Sequence, residues 1–140
     1  MSAEQTEVVT GNGFAAGNLD GMGEGYGFRK IRAELDIKEF GANAVVLPPG
    51  IEAGAHWHDK QEELYFVFEG TLKWTLGEND EDEVVLGPGG CLRVDAQTQR
   101  WVSNVGDVDA TYVAIGAFGG YVGRDGQARE GDNRLRAGQG

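Results

Sequence analysis

The sequence predicts an all-β protein in which short antiparallel strands form a single domain. In several segments apolar and polar residues alternate with a period of two, which is the pattern of half-buried strands. Clusters of glycine, proline, asparagine and aspartate separate these segments, and 24 of the 140 residues are glycine. So many glycines without a collagen repeat favour tight turns. No segment has a convincing helical pattern, and the length suits one domain.

The predicted strands follow one another at short intervals. The second ends at Pro48-Pro49-Gly50, where the missing amide hydrogens and the fixed φ of proline interrupt a strand. Gly70 allows a sharp bend between two later strands, and the segments 77–80 and 87–90 have the composition of turns. The predicted strands are 31–37, 44–47, 63–69, 71–76, 83–86, 91–94, 100–103 and 110–118.

The two ends of the chain differ from its middle in composition. Residues 1–25 are polar and rich in glycine, which predicts an N-terminal arm with little structure of its own. Residues 119–140 combine charge and glycine with almost no aliphatic side chains, which predicts a polar, solvated C-terminal tail. The predicted domain therefore spans residues 26–118.

Composition excludes several classes of function. The net charge of −11 and the pI near 4.5 argue against binding to nucleic acid or to an anionic membrane, because both need a basic surface. The single cysteine excludes an internal disulfide framework. The first residues have neither the basic nor the apolar region of a signal peptide, and no apolar run approaches the roughly 20 residues that span a bilayer. We therefore expect a cytoplasmic protein.

One group of residues has the composition of a metal site. His56 and His58 are two positions apart, so both imidazoles project from the same face of a strand. Glu63 begins the next predicted strand after a short link, and a hairpin there brings its carboxylate opposite the histidines. Two imidazoles and one carboxylate form the ligand set used for iron, manganese, nickel or zinc, with positions left open for water or substrate.

The spacing around these residues resembles the first motif of the cupin superfamily. Gly50 is followed by five residues, His56-Trp57-His58, four residues, Glu63, six residues and Gly70, and every defined position of that motif matches. The chain is thus similar to the small single-domain cupins. The resemblance implies an antiparallel jelly-roll β-barrel whose motif residues face the barrel mouth. It also implies a homodimer, since cupins of this size commonly associate.

The second cupin motif is degraded in this sequence. Gly89 and Asn104 fit its two ends, but Arg100 stands where the family supplies a third histidine ligand. Arginine remains protonated and has no lone pair for a metal. Two alternatives follow. Arg100 pairs with Glu63 and fills the space of the metal, or His56, His58 and Glu63 bind metal as a three-ligand site beside which Arg100 binds an anionic substrate.

Two hypotheses of function follow from these residues. The first is a metal-dependent cupin enzyme of the dioxygenase, isomerase or decarboxylase type, acting on a small anionic molecule. The second is a non-catalytic binding or sensing protein whose pocket is metal-free or vestigial. Tyr65 shares the alternation phase of Glu63, so it faces the interior and is either a substrate-binding residue or part of the core.

Overall fold

The computed structural model describes residues 7–134, and within them nearly all regular structure is β. A five-residue helix, α1 (Ile31–Leu35), and a short 3-10 turn (Leu19–Gly21) are the exceptions in this part of the chain. The strands are β1 (Val9–Gly11), β2 (Phe14–Ala16), β3 (Gly27–Arg29), β4 (Gly41–Leu47), β5 (His56–His58), β6 (Glu62–Glu69), β7 (Leu72–Leu76), β8 (Asp82–Leu86), β9 (Cys91–Val94), β10 (Arg100–Asn104), β11 (Ala110–Ala117) and β12 (Gly126–Ala128).

The strands form two five-stranded antiparallel sheets and one small hairpin. One sheet has the order β12-β5-β10-β7-β8, and the other has the order β3-β4-β11-β6-β9. The chain crosses between the sheets several times, which is the connectivity of a jelly roll and confirms the predicted fold class. Strands β1 and β2 pair only with each other among the described strands.

The hydrophobic core lies between the two sheets and includes residues from both. Val67 of β6, Leu72 and Trp74 of β7 are fully buried. Tyr65, Trp74 and Tyr112 form an aromatic cluster, with ring centroids between 5.4 and 5.9 Å apart. Burial of one large apolar side chain contributes about 1.5–3 kcal/mol, so this core accounts for much of the stability. It also forms the base on which the polar residues described below are held.

The bend at Gly70 is one place where only glycine fits. Its φ is +84°, in the left-handed region that L side chains rarely adopt, and a Cβ there would lie 2.6 Å from the Cβ of Ala110. This residue turns the chain from β6 into β7, and so from one sheet into the other. The sharp bend predicted from the sequence is confirmed.

The prediction of a strand at residues 31–37 is wrong, because residues 31–35 form helix α1. Ile31 and Leu35 are four positions apart, a spacing that suits one face of a helix as well as one face of a strand. Both are half-buried, whereas Ala33, which a strand would bury with them, is exposed. Asp36 then ends the helix in the left-handed conformation, with φ of 56°.

The prediction of a solvated C-terminal tail is also wrong for the part of it that the structure describes. Strand β12 pairs with β5, and Asp132 accepts a hydrogen bond from the backbone N–H of Ala55 at 2.8 Å. The guanidinium of Arg134 lies 3.7 Å from the ring centre of Trp101. Residues 125–134 therefore pack along the sheet that carries the histidines. None of the helices in residues 7–134 has the length and apolar character needed to cross a bilayer.

Candidate metal centre

The structure brings the three predicted ligands together. His56 and His58 project from β5, while Glu63 projects from β6 in the opposite sheet. The Nε2 atom of His58 lies 3.1 Å from Oε1 of Glu63, and Nε2 of His56 lies 3.9 Å from the same oxygen. One ligand atom from each of the three residues lies within 4.8 Å of the others. That separation is small enough for one metal ion to contact all three.

Burial and charge determine how these groups titrate. Burial raises the pKa of Glu63, but its contacts with the two histidines and Arg100 outweigh this and hold the pKa well below its usual range. Burial lowers the pKa of His56. Burial acts in the same direction on His58, but the carboxylates beside it prevail, and the pKa of His58 is raised. Glu63 is therefore ionised, as a ligand must be.

A second carboxylate orients His58 from outside the site. Nδ1 of His58 lies 2.9 Å from Oδ1 of Asp125, just before β12. Asp125 is buried and also accepts hydrogen bonds from the backbone N–H groups of Lys60 and Gln61 and from the side chain of Gln61. Burial acts to raise the pKa, but the hydrogen bonds from Gln61, Lys60 and His58 lower the pKa of Asp125 to about 2. It is thus an ionised acceptor for an Nδ1–H group.

This arrangement fits a bound metal. With the proton on Nδ1, Nε2 of His58 carries a lone pair, and this buried atom has no hydrogen-bond partner among the described residues. It lies 3.1 Å from Oε1 of Glu63 without hydrogen-bond geometry, so a cation between these two atoms would be bound by both. Metal-binding histidines commonly donate their other ring N–H to a carboxylate in this way. His56, His58 and Glu63 would therefore hold the ion, and Asp125 would orient His58.

Arg100 is buried, and all three nitrogens of its guanidinium form hydrogen bonds within the protein. Its Nη2 donates to Oε1 of Glu63 at 2.9 Å, and its Nε donates to the hydroxyl of Tyr65 at 3.1 Å. Its Nη1 lies within hydrogen-bond distance of the backbone carbonyls of Asp95, Ala96 and Thr98. Arg100 thus pairs with Glu63, as the first of the two alternatives requires, while Nε2 of His58 has no hydrogen-bond partner among the described residues.

Tyr65 completes the contacts to Glu63. Its hydroxyl donates to Oε1 at 2.6 Å, so this oxygen accepts hydrogen bonds from both Tyr65 and Arg100. Burial and the charge of Glu63 raise the pKa of Tyr65 well above its usual range, and burial does the same for Tyr112. Both phenols keep their protons at neutral pH. Two donors on one carboxylate oxygen hold Glu63 in a fixed orientation.

The candidate centre opens into a cavity of about 330 Å³, a size that suits a small organic molecule. The inward faces of both sheets contribute to its lining. Helix α1 and the segment 119–128, which we call the covering segments, also contribute to it. Lining residues include His56, His58, Glu63, Tyr65, Trp74 and Arg100.

A cupin domain family matches residues 43–116, which is more than half of the chain and contains all three candidate ligands. The chain belongs to the cupin family. None of the curated proteins compared with this cupin matches it. The family explains why the histidines and the glutamate are predictable from their spacing, whereas the contacts from Asp125 lie outside the matched residues.

Solved structures similar to this cupin include proteins of different activity. A sugar phosphate isomerase of the cupin superfamily from Silicibacter pomeroyi is 26% identical, with 83% of this chain and 71% of that chain covered and a TM-score of 0.59. A conserved protein with a double-stranded β-helix domain from Klebsiella pneumoniae is 17% identical, covering 66% of this chain and 76% of that chain, with a TM-score of 0.58. An oxalate decarboxylase is 18% identical, covering 76% of this chain but only 29% of its own, with a TM-score of 0.61. The last two likenesses show the fold alone.

Sequence reasoning missed Asp125 and Gln61 as parts of the site. Asp125 lies in a polar segment, Gly123-Arg124-Asp125-Gly126, which has the composition of a turn. Gln61 lies in the short link between His58 and Glu63, and its side-chain amide donates to Asp125 and to the carbonyl of Val122. No signal in the sequence distinguishes this aspartate from the other acidic residues, because its role depends on the chain returning to β5.

Proposed function

We propose that this cupin is a metal-dependent enzyme acting on a small organic anion held in the mouth of the cavity. His56, His58 and Glu63 would bind a divalent ion of iron, manganese, nickel or zinc. The observation that carries the proposal is the buried Nε2 of His58, which has no hydrogen-bond partner among the described residues and whose opposite nitrogen is held by Asp125. A lone histidine packed in a protein core has no need of such an arrangement.

The chain's own residues would position the ligands and the substrate. Tyr65 and Arg100 hold Glu63 through hydrogen bonds to one of its carboxylate oxygens. The sequence also predicts that Arg100 and Tyr65 contact the substrate. One Nη2–H of Arg100 is bonded to Glu63, so the other is the donor that would reach a substrate oxygen. A bound metal would supply Lewis-acid or oxygen-activating chemistry.

The proposed reaction belongs to one of three types. Dioxygenase, isomerase and decarboxylase activities are the three classes that the sequence suggests. The similar protein from Silicibacter pomeroyi is a sugar phosphate isomerase, which favours testing isomerisation of a phosphorylated or carboxylated substrate first. The fold by itself does not choose among these chemistries.

Elemental analysis of the purified protein tests the proposal. We expect stoichiometric metal in the wild type and its loss in His58→Ala and Glu63→Gln. Glu62→Gln is the matched control, because Glu62 is the adjacent carboxylate, is exposed and pairs with Arg93. Wild-type protein that remains metal-free after equilibration with Mn²⁺, Fe²⁺, Ni²⁺ and Zn²⁺ would contradict the proposal.

The substitution Arg100→His tests the position of Arg100 relative to the metal. It replaces a cation with a potential third imidazole ligand and removes the charge repulsion on a metal ion. We expect tighter metal binding in Arg100→His, by about tenfold or more. Unchanged or weaker binding in a folded Arg100→His protein would show that this position does not face the ion.

A non-catalytic binding protein is the second candidate, and the ion pair between Arg100 and Glu63 favours it. In a metal-free pocket this pair neutralises the glutamate and leaves the cavity to an organic ligand. Metal-free protein that binds carboxylates, with binding unaffected by added metal, would support this candidate. Carboxylate binding that strengthens with stoichiometric metal would support the enzyme instead.

We also propose a homodimer in the cytoplasm. Leu64, Phe66 and Phe68 alternate along β6 on the face away from the core, with 38–60% of their surface exposed. Such an exposed apolar strip suits contact with a second copy of the sheet. Sedimentation analysis should show a dimer that Phe68→Lys weakens, and a wild-type monomer at micromolar concentration would contradict this.

A further inference from the structure

The cavity differs in charge from the protein as a whole. The chain carries a net charge of −11, yet the residues that line the cavity include four basic and only two acidic side chains. Both acidic side chains, Glu63 and Asp125, are engaged with donors on the protein. Clefts lined by one sign of charge concentrate ligands of the opposite sign.

Three of the four basic residues are Lys30, Arg32 and Arg124, which we call the basic rim. They come from two parts of the chain, since Lys30 and Arg32 belong to the region of α1 and Arg124 precedes Asp125. None of them forms an ion pair with a carboxylate in residues 7–134. Six other basic residues in this range do form ion pairs: Lys38, Lys73, Arg93, Arg100, Arg129 and Arg134.

The surrounding structure positions two residues of the basic rim, Arg32 and Arg124. The guanidinium of Arg32 lies 3.9 Å from the ring centre of Tyr121, so α1 and the C-terminal covering segment meet through this pair. Arg124 has a φ of 54°, a left-handed conformation that costs a non-glycine residue about 1 kcal/mol. The four hydrogen bonds of the neighbouring Asp125 and the pairing of β12 maintain this conformation. Strain of this kind persists where the surrounding structure requires it.

A buried hydrogen-bond donor beside the cavity, like the cations of the basic rim, is complementary to an acceptor-rich group. Trp74 lines the cavity and is fully buried, and its Nε1–H has no hydrogen-bond partner in the described part of the chain. An indole nitrogen is only a donor, so an acceptor for this N–H has to come from outside the described residues, either from a ligand or from a water molecule. Arg100 has most of its donors bonded within the protein. The groups available to a ligand are therefore mainly donors and cations.

We propose that the basic rim and Trp74 bind a small organic anion with at least two acceptor-rich groups, such as two carboxylates or a carboxylate and a phosphate. One anionic group would lie at the basic rim, and the other would approach the metal centre and Trp74. This inference deepens the proposed function, on which it rests for the role of the bound anion. Arg32 and Arg124, rather than Arg100, would provide most of the charge that selects the ligand.

Calorimetry on metal-free protein tests the proposal with malonate, succinate and inorganic phosphate as probes and malonamide as the uncharged analogue. We expect at least one anionic probe to bind while malonamide does not. The double variant Arg32→Gln and Arg124→Gln should weaken that probe about tenfold, since each exposed charge contributes about 0.7 kcal/mol. Trp74→Phe, which keeps an aromatic side chain and removes the donor, should weaken it severalfold.

Lys60→Gln is the matched control, because Lys60 is exposed, forms no ion pair in residues 7–134 and does not line the cavity. It should change the affinity less than about twofold. The proposal is overturned if no anionic probe binds, if malonamide binds as well as malonate, or if Lys60→Gln weakens binding as much as the rim variants do.

A parallel Mn²⁺ titration separates this inference from the proposed function. The rim variants should bind Mn²⁺ as the wild type does, because the substitutions leave all three candidate ligands in place. Charge-dependent anion binding by a protein that takes up no metal would disprove the proposed function and support the basic rim. Stoichiometric Mn²⁺ binding without anion binding would support the proposed metal site and overturn the proposed role of the basic rim.

Discussion

The floor of the cavity and its covering segments are held by different kinds of interaction. The floor consists of β5, β6 and β10, whose backbones are paired with neighbouring strands and whose inward side chains continue into the core. Apart from the short pairing of β12 with β5, the covering segments, α1 and residues 119–128, are held by a few particular contacts, such as Arg32 with Tyr121 and Asp125 with His58. A strand in a half-buried sheet shows alternating apolar and polar residues in the sequence, whereas a single side-chain contact produces no such pattern.

The largest effect should come from breaking the charge balance of the floor. Arg100→Met removes the cation beside a nearly buried Glu63 and leaves three backbone carbonyls without their donor. Loss of one partner of a buried ion pair costs about 3–5 kcal/mol, so we expect the free energy of unfolding to fall by that amount. Urea denaturation measures it. Arg93→Met, at an exposed ion pair, is the control and should be close to the wild type.

Equal stability of Arg100→Met and Arg93→Met would contradict the prediction that the buried ion pair matters more than the exposed one. A double variant sharpens the test further. Adding Glu63→Gln to Arg100→Met should recover part of the stability, because the uncompensated charge is then removed as well.

The next effect concerns the bend that links the two sheets beneath the site. Gly70→Ala forces a left-handed residue and a Cβ too close to Ala110, which should cost about 2–4 kcal/mol. Gly87→Ala is the matched control, since nothing lies within 4 Å of its added Cβ and its φ is not positive. Thermal unfolding should separate the two variants clearly. Similar melting temperatures would mean that the loop at Gly70 adjusts without strain.

A smaller effect should follow from the contact between the C-terminal covering segment and the floor. Asp125→Asn keeps the size of the side chain but removes the negative charge that orients His58. Loss of such an outer contact typically weakens metal binding about 10–100-fold. Mn²⁺ affinity measured by competition with a chelator would show this. Asp59→Asn, an exposed carboxylate beside the same strand, should leave the affinity unchanged.

If Asp125→Asn bound Mn²⁺ as tightly as the wild type, the C-terminal covering segment would have no part in the metal site. The candidate centre would then depend on the floor alone.

The smallest effect should appear as a change in stability with pH. The hydrogen bonds from Arg134 and Ala55 outweigh the effect of burial and lower the pKa of Asp132 below its usual value of about 4. A carboxyl group whose pKa is lower in the folded state contributes its full stability above about pH 4. That contribution is lost as the pH falls towards the folded-state pKa.

Asp132→Asn should therefore reduce the free energy of unfolding by about 1–2 kcal/mol at pH 7 and by much less near pH 2. Denaturation at a series of pH values measures the difference. Asp107→Asn, at an exposed position, should follow the wild type throughout. A constant difference between Asp132→Asn and the wild type over this range would show that the charge of Asp132 contributes nothing.

The sequence predicted the floor well because strand alternation decides which side chains face inward. Tyr65 and Val67 are buried in phase with Glu63, and Val102 and Asn104 are buried in phase with Arg100, as their positions indicate. The family motif added the pairing of His56 and His58 with Glu63, which alternation alone leaves open.

The covering segments could not be predicted in the same way. Ile31 and Leu35 fit a helix and a strand equally, and packing against β4 decides between them. Asp125 gains its role only because β12 returns to pair with β5, a contact between residues far apart in the chain. The guanidinium of Arg134 lies over the ring of Trp101 for the same reason, since the end of the described chain returns to β10. The composition of a short segment does not indicate which distant part of the chain it will contact.

Strand β12 has a consequence for how the protein behaves in a crowded solution. Without it, β5 would be the outermost strand of its sheet, and its free backbone groups would offer a template for strands of other molecules. A three-residue strand covers that boundary and is itself too short to extend the sheet much further. The segment that brings Asp125 to His58 thus also covers the sheet edge beside the candidate metal centre.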